Sequence, residues 1–187
     1  MKRALLIILL ITFFPFSTFS AIQEEGQILQ ATTAALVVQS LQLGEKAQQL
    51  FSIKDELIKM VKTKKNNFTS QDDMMIDAAT EMKYIATVAY FEGNLLGAVL
   101  ALKKEFKLHF INDRILELDN AIKGTISSLK PIQIAHSRID DGTAKHQLDR
   151  SIKVVQALVE IYRNSIRILE KIREKEFGEI EIKEPGN

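Results

Sequence analysis

The sequence predicts an all-α protein, an elongated antiparallel helical bundle with a long N-terminal helical hairpin. Glycine and proline are scarce, 8 and 3 of 187 residues, which favours long uninterrupted helices. Apolar residues recur at helical spacing over most of the chain, whereas the alternation typical of a strand occurs only at 179–183, a stretch too short to build a sheet. The chain has no cysteine, so we expect its stability to come from apolar burial alone.

The first twenty residues have the composition of a signal peptide, which we predict at 1–20. Lys2 and Arg3 precede an apolar stretch at 4–16, and Thr18 and Ser20 provide small residues before a cleavage site. We therefore expect an exported bacterial protein, periplasmic or secreted, with no stable membrane span after removal of the leader. The net charge of +1 and the lack of a basic stripe predict no nucleic-acid partner.

The first predicted helix spans about 22–63 and carries an apolar residue at every seventh position. At 1.5 Å per residue this helix is roughly 60 Å long, and a rod of that length needs neighbours to cover its apolar stripe. The heptad positions are Ile22, Leu29, Leu36, Leu43, Leu50 and Leu57.

The residue pattern in the middle of the chain predicts a second helix and allows two interpretations of a third. A polar connection at 64–73 contains Thr69 or Ser70 as a helix start, so the second helix is expected at about 71–109. Either Asn112 and Asp113 cap a third helix at 114–129, or the second helix continues into it. Pro131 is expected to end or kink that element, leaving 132–138 as a short helical turn.

The final helix is expected at about 143–176, after a connection at 140–143. Three adjacent apolar stripes predict that it contacts at least two neighbours. Gly178 is expected to stop this helix, and 179–187 is expected to form a flexible tail. The sequence thus predicts one helical bundle domain at 21–178.

Small residues recur every four positions on one face of the predicted second helix. Ala89, Gly93, Gly97 and Ala101 form a ridge that allows another backbone to approach closely. We interpret this ridge as a helix-packing surface inside a bundle, and the pattern leaves open whether the neighbour belongs to the same chain or to another copy.

No motif predicts catalysis, a cofactor or a metal site. Glu92 lies in an apolar stretch, where a buried acid would be a candidate functional group, but the commoner interpretation places it on the helix surface. His109, His136 and His146 lack the Glu-x-x-His spacing of a di-iron bundle. An enzyme would need at least two of these four side chains to converge in one cleft, so we predict a non-enzymatic protein. The acid pairs at 72–73 and 140–141 are interpreted as helix caps.

Three stretches together resemble the TrbJ-like family of periplasmic helical proteins of conjugal transfer and type IV secretion. These are 27–36, which opens a glutamine-containing amphipathic helix, the glycine-led segment 93–106, and 142–148 before a long terminal helix. The resemblance implies a minor-pilus or secretion-apparatus component that works by contact, with envelope or pilus assembly proteins as partners and self-association as an option. The alternative is a periplasmic ligand-binding bundle of the sensor type, with a pocket lined by Glu92, Tyr90 or Tyr162.

Overall fold

The computed structural model describes residues 20–64 and 68–178, with side chains from residue 30 onward. Within these residues the chain forms four α-helices and a short 3-10 turn, which confirms the all-α prediction. The helices are α1 (Ser20–Thr63), α2 (Ser70–Ala98), α3 (Lys104–Arg138) and α4 (Gly142–Phe177), and the turn is Val99–Ala101. The predicted leader before Ser20 and the predicted tail lie outside the described residues.

The four helices form a ring in which each packs against its neighbours in sequence and α4 closes against α1. Diagonal contacts between α2 and α4 are few. Short connections make successive helices antiparallel, and the α1–α2 interface is the most extensive in the molecule. The predicted antiparallel bundle with a long N-terminal hairpin is therefore confirmed.

The core follows the heptad positions of α1. Leu36, Leu43, Leu50 and Leu57 are completely buried, and each contributes about 2 kcal/mol by leaving water. They meet apolar residues from the other three helices, of which the largest fully buried ones are Met75, Met82, Ile85, Leu96, Ile111, Leu118 and Tyr162. The regular spacing of these residues explains why the helices pack along their whole length.

The predicted extent of the second helix, to residue 109, is wrong. The α-helix ends at Ala98, the chain tightens into the 3-10 turn, and Leu102 and Lys103 are extended, with ψ of 141° and 148°. Two glycines in the last turns weaken the helix there. The break sets the phase of α3 so that Ile111 enters the core. Consequently Asn112 is not a cap but lies inside α3, where it accepts a hydrogen bond from Arg173 of α4 at 3.2 Å.

Pro131 does not end α3, and 132–138 is not a separate helical turn, so these two parts of the sequence prediction are wrong. The helix continues from Lys104 to Arg138. Buried residues keep their three-to-four spacing through the proline, with Thr125 and Ser128 before it and Ile132 and Ala135 after it. Packing of this continuous face outweighs the single backbone hydrogen bond that proline removes.

The predicted starts of α2 and α4 and the predicted end of α4 are confirmed. Thr69 is the N-cap of α2, and Asp141 is the N-cap of α4, where its carboxylate accepts hydrogen bonds from the backbone N–H groups of Thr143 and Ala144 at 2.9 and 3.0 Å. Gly178 ends α4 with a φ of 74°, a left-handed conformation that glycine adopts without strain.

Candidate interaction surface

The side of α2 that points away from the core carries no charge in its C-terminal half, from Tyr84 to Ala98. From Tyr84 to Leu102 the only charged residue is Glu92, and that side chain is buried. We call the exposed strip of this segment the outer face of α2. It consists of the exposed residues Tyr84, Phe91, Asn94 and Ala98 and of the half-buried Thr87, which follow one another at alternating steps of three and four.

Large aromatic rings lie on the outer face. Phe91 is 60% exposed and Tyr84 is 53% exposed, while Tyr90 at its edge is 49% exposed. The segment Ser70–Ala101 is long and apolar enough by composition to cross a membrane, yet 39% of its most apolar window is buried inside the bundle. The apolar segment therefore also has exposed aromatic rings outside the core, and exposed apolar patches are typical of surfaces that bind other apolar surfaces.

Ala89 and Gly93 of the predicted ridge lie on the buried side of α2, and Gly93 packs against α1. A Cβ atom on Gly93 would lie 3.0 Å from the carbonyl oxygen of Ser40 and 3.2 Å from Cβ of Leu43. The hydroxyl of Ser40 donates a hydrogen bond to the carbonyl of Gly93 at 2.6 Å. The neighbour of Gly93 is therefore a helix of the same chain.

The four ridge residues do not share one environment. Ala89 is completely buried with Gly93, whereas Gly97 is exposed and has only the Ser40 hydroxyl near it, 3.5 Å from a built Cβ. Ala101 is exposed in the 3-10 turn beyond the end of α2. The close approach of α1 and α2 therefore ends near Gly97.

Glu92 is buried rather than on the surface, so the interpretation favoured from sequence is wrong. Its carboxylate lies 3.3 Å from Arg114 of α3, and the same guanidinium binds Glu117 at 2.6 Å and lies over the ring of Phe110. Burial raises the pKa of Glu92, and the charge of Arg114 opposes that rise. The sequence could not show this pairing, because the partner lies on another helix.

Two buried polar atoms of this cluster are poorly satisfied. Within the described part of the chain, Nε of Arg114 forms no hydrogen bond, and the hydroxyl of Tyr162 interacts with that of Thr125. Burial raises the pKa of Tyr162, the charge of Glu92 adds to the rise, and the neighbouring Thr125 hydroxyl offsets part of it. Such atoms are costly inside a core, which makes this cluster the second candidate for a functional role.

The histidines do not join Glu92. His109 is exposed near the start of α3 and pairs with Asp113 at 3.4 Å, whereas His136 and His146 lie near Asp149 around the α3–α4 connection. Among the described residues, no group of three or more histidines and acids is placed to hold a metal ion.

A groove lies between α1 and α4. It has a volume of about 340 Å³ and is lined by Glu56, Lys59, Met60, Thr63, Thr143 and Gln147. None of the residues predicted to line a ligand pocket, Glu92, Tyr90 and Tyr162, contributes to it. This groove therefore does not correspond to the pocket expected from sequence.

Comparisons with protein-family models, with curated proteins and with solved structures found no match to this chain.

The sequence patterns described above did not identify the outer face of α2. Its signal was present, because a helix that is apolar on both sides has more apolar surface than one bundle core covers. The segment between Lys83 and Lys103, in which Glu92 is the single charged residue, is that signal.

Proposed function

We propose that this protein is an exported, non-enzymatic interaction protein. It would serve as an assembly component of a cell-envelope apparatus such as a type IV secretion system or a conjugal-transfer pilus. The composition of residues 1–20 supports export. The class of machine is supported by the resemblance of 27–36, 93–106 and 142–148 to TrbJ-like proteins. In this proposal the protein acts by binding partner proteins through one face of a helix.

The outer face of α2 is the observation that carries the proposal. Interfaces are enriched in aromatic residues and depleted of charge at their centre, and both properties occur together here. Phe91, at 60% exposure, is the most exposed ring of this strip and is its expected anchor. The core of the bundle is complete without it, so the ring is available to a partner.

Crosslinking in the envelope tests this function. We expect the tagged full chain, crosslinked in cells of its source bacterium, to recover defined envelope proteins, and we expect Phe91→Asp to lose them because a charge at the centre of an apolar interface is costly. Ile134→Asp is the matched control, since Ile134 is a 49% exposed apolar residue on α3.

Two results would contradict the proposal. One is recovery of the same envelope proteins by wild type and Phe91→Asp. The other is recovery of the chain without any envelope protein, although both variants keep the helical circular dichroism of wild type.

A ligand-binding bundle is the second candidate, favoured by the buried Nε of Arg114, which has no hydrogen-bond partner among the described residues, and by the buried hydroxyl of Tyr162. Both groups are able to donate hydrogen bonds to a small carboxylate or amide held between the helices. We expect such a ligand to raise the melting temperature of wild type and to raise that of Tyr162→Phe less. A panel of small carboxylates and amides that leaves the melting temperature of wild type unchanged would eliminate this candidate.

A further inference from the structure

The first half of α2 carries an acidic strip on the same side as the outer face. Asp73 and Asp77 are exposed and lie eleven and seven residues before Tyr84, spacings that return to the same side of a helix. Glu81 is half-buried beside them, whereas Lys83, the one cation at 70–83, is rotated by about 100° from Tyr84 around the helix. We call Asp73, Asp77 and Glu81 the acidic strip. Within the described residues, none of the three forms an ion pair.

The second half of α3 carries a basic strip. The segment 120–139 contains three cations and no acid. These cations, Lys123, Lys130 and Arg138, are all exposed, and we call them the basic strip. Lys123 pairs with Asp119 one turn earlier at 2.5 Å. Lys130 and Arg138 form no ion pair in the part of the chain that the structure describes.

Two contacts place the strips side by side. The side chain of Gln71 donates a hydrogen bond to Asp140 at 3.0 Å, and the hydroxyl of Tyr84 lies 3.3 Å from a Cβ built on Gly124. The antiparallel segments between these contacts lie at the same height, so the acidic strip runs alongside the basic strip at one end of the bundle. We call the side of the bundle that carries both strips the α2–α3 face.

The other end of the α2–α3 face carries two large apolar side chains. Phe91 of α2 is 60% exposed and Leu116 of α3 is 62% exposed. They lie at the same height, because the neighbouring Glu92 contacts Arg114 at 3.3 Å. The face therefore has a charged end and an apolar end, and each end is shared by the two helices.

The acids nearest Leu116 are directed to groups of α3 itself. The carboxylate of Asp113 lies 3.4 Å from Nε2 of His109, and that of Glu117 lies 2.6 Å from Arg114. Neither acid extends the acidic strip of α2, which lies at the opposite end of the face.

A two-fold axis parallel to the helices makes the α2–α3 face complementary to itself. Rotation about such an axis keeps each residue at its height and exchanges the positions of α2 and α3. The α2 of one copy then lies against the α3 of the other, so the acidic strip meets the basic strip and Phe91 meets Leu116. Both contacts occur twice, once on each side of the axis, because the interface is isologous.

A two-fold axis across the helices gives no such match. It would place α2 on α2 in opposite directions, with Asp73 and Asp77 against the uncharged outer face of the second copy. Carboxylates in that position lose water without gaining a cation, which is costly. The distribution of charge therefore selects the axis parallel to the helices.

We propose that the α2–α3 face binds the α2–α3 face of a second copy of this chain about a two-fold axis parallel to the helices. The acidic strip of each copy contacts the basic strip of the other, and Phe91 contacts Leu116. This inference rests on the proposed function, in which the same ring of Phe91 is the anchor for envelope proteins. The dimer covers that ring until an envelope protein replaces the second copy.

Charge reversal tests the pairing of the strips. One variant carries Asp73→Lys and Asp77→Lys, and a second carries Lys130→Glu and Arg138→Glu. Each places like charges opposite one another, so we expect each alone to dimerise about tenfold more weakly than wild type in sedimentation velocity. Mixing a fluorescently labelled first variant with the second restores opposite charges at both contacts and is expected to return the label to a dimer.

A control mixture has the same net charges. It combines the labelled first variant with a chain carrying Arg150→Glu and Lys171→Glu, which are changes at exposed positions of α4. The basic strip of that chain is intact, so we expect the label to remain monomeric. Equal dimerisation of the label in the two mixtures, or none in the first, would overturn the proposal.

Disulfide trapping tests the register, and the absence of native cysteine makes the result easy to interpret. Thr80 and Ser127 are exposed and lie at the same height, so a mixture of Thr80→Cys and Ser127→Cys chains is expected to form a mixed disulfide on mild oxidation. Thr80→Cys mixed with Gln156→Cys, an exposed position of α4, is the control. Equal crosslinking in both mixtures, or none in the first, would contradict the proposed arrangement.

Two variants separate this inference from the proposed function. Phe91→Asp is expected to lose both the dimer and the envelope proteins. Ile134→Asp adds an acid between Lys130 and Arg138, so it is expected to weaken the dimer and to keep the envelope proteins.

Each proposal therefore fails in its own way. If wild type is a monomer at every concentration and Phe91→Asp still loses the envelope proteins, self-association is wrong and the proposed function stands. If the dimer forms and no envelope protein is recovered, the inference stands and the proposed function is wrong.

Discussion

At the scale of single residues, the two glycines of the α2 ridge differ in what surrounds them. At Gly93 the nearest atom to an added methyl is a backbone oxygen of α1, which is unable to move without shifting the helix. At Gly97 the nearest atom is a side-chain hydroxyl at an ordinary contact distance of 3.5 Å. Identical residues four positions apart thus have different structural roles.

We predict opposite effects of alanine at these two positions. Gly93→Ala is expected to lower the free energy of unfolding by about 1–2 kcal/mol, because overpacking against Ser40 exceeds the gain in helix propensity. Gly97→Ala is expected to raise it by about 0.5–1 kcal/mol, since alanine favours the helix and nothing obstructs it. Urea denaturation of both variants measures the difference, and a stabilising Gly93→Ala would show that α1 and α2 are not in close contact.

At the scale of elements, the start of α2 is fixed by one carboxylate. Asp72 accepts hydrogen bonds from the backbone N–H and the hydroxyl of Thr69, at 2.8 and 2.7 Å, and from the ammonium group of Lys64 at 2.7 Å. The bond from Lys64 lowers the pKa of Asp72 most, followed by that from Thr69. The same side chain therefore joins the end of α1 to the first turn of α2.

This arrangement predicts an acid-dependent stability. Because folding lowers the pKa of Asp72 below 3.8, its stabilising effect is present above that pH and is lost as the pH falls through the folded pKa. Asp72→Asn should be less stable than wild type near neutral pH and should approach it in acid. Asp149→Asn, at an exposed pair on α4, is the control and should change less. A constant difference between Asp72→Asn and wild type across acid pH would contradict the prediction.

At the scale of the whole molecule, α2 and α3 are linked by a buried ion pair between Glu92 and Arg114. Both side chains are less than a tenth exposed. Removing one member of such a pair leaves the other charge buried and uncompensated, whereas replacing both with apolar residues is often tolerated. The pair thus stabilises the bundle only as a unit.

We predict a pH-dependent loss of stability on Arg114→Met. Burial already raises the pKa of Glu92 above 4.5, so its ionisation opposes folding as pH rises through the folded pKa. Without the arginine that pKa rises further. The variant should lose about 3 kcal/mol near neutral pH and less in mild acid, where Glu92 is protonated.

The double variant is the control for this prediction. Urea titrations at two pH values measure the loss, and adding Glu92→Met to Arg114→Met should recover most of it. A pH-independent loss in Arg114→Met would assign the defect to lost packing of the arginine.

The features that depend on residues close together in the chain could be predicted from the amino-acid sequence. The α1 heptads from Leu36 to Leu57, the Thr69 start of α2, the Asp141 start of α4 and the Gly178 stop follow from local spacing and capping, and these are confirmed. These elements form wherever their own residues favour them, so a linear pattern is sufficient to find them.

Other features became visible only in the packed bundle. These are the break at Leu102, the continuation of α3 past Pro131, the burial of Glu92 and the exposure of Phe91. Each depends on which residues of another helix lie opposite, such as Arg114, which is 22 positions from Glu92. A one-dimensional pattern shows that a helix has an apolar side. It does not show which of two apolar sides the core covers, because that choice is made by packing energy summed over residues far apart in the chain.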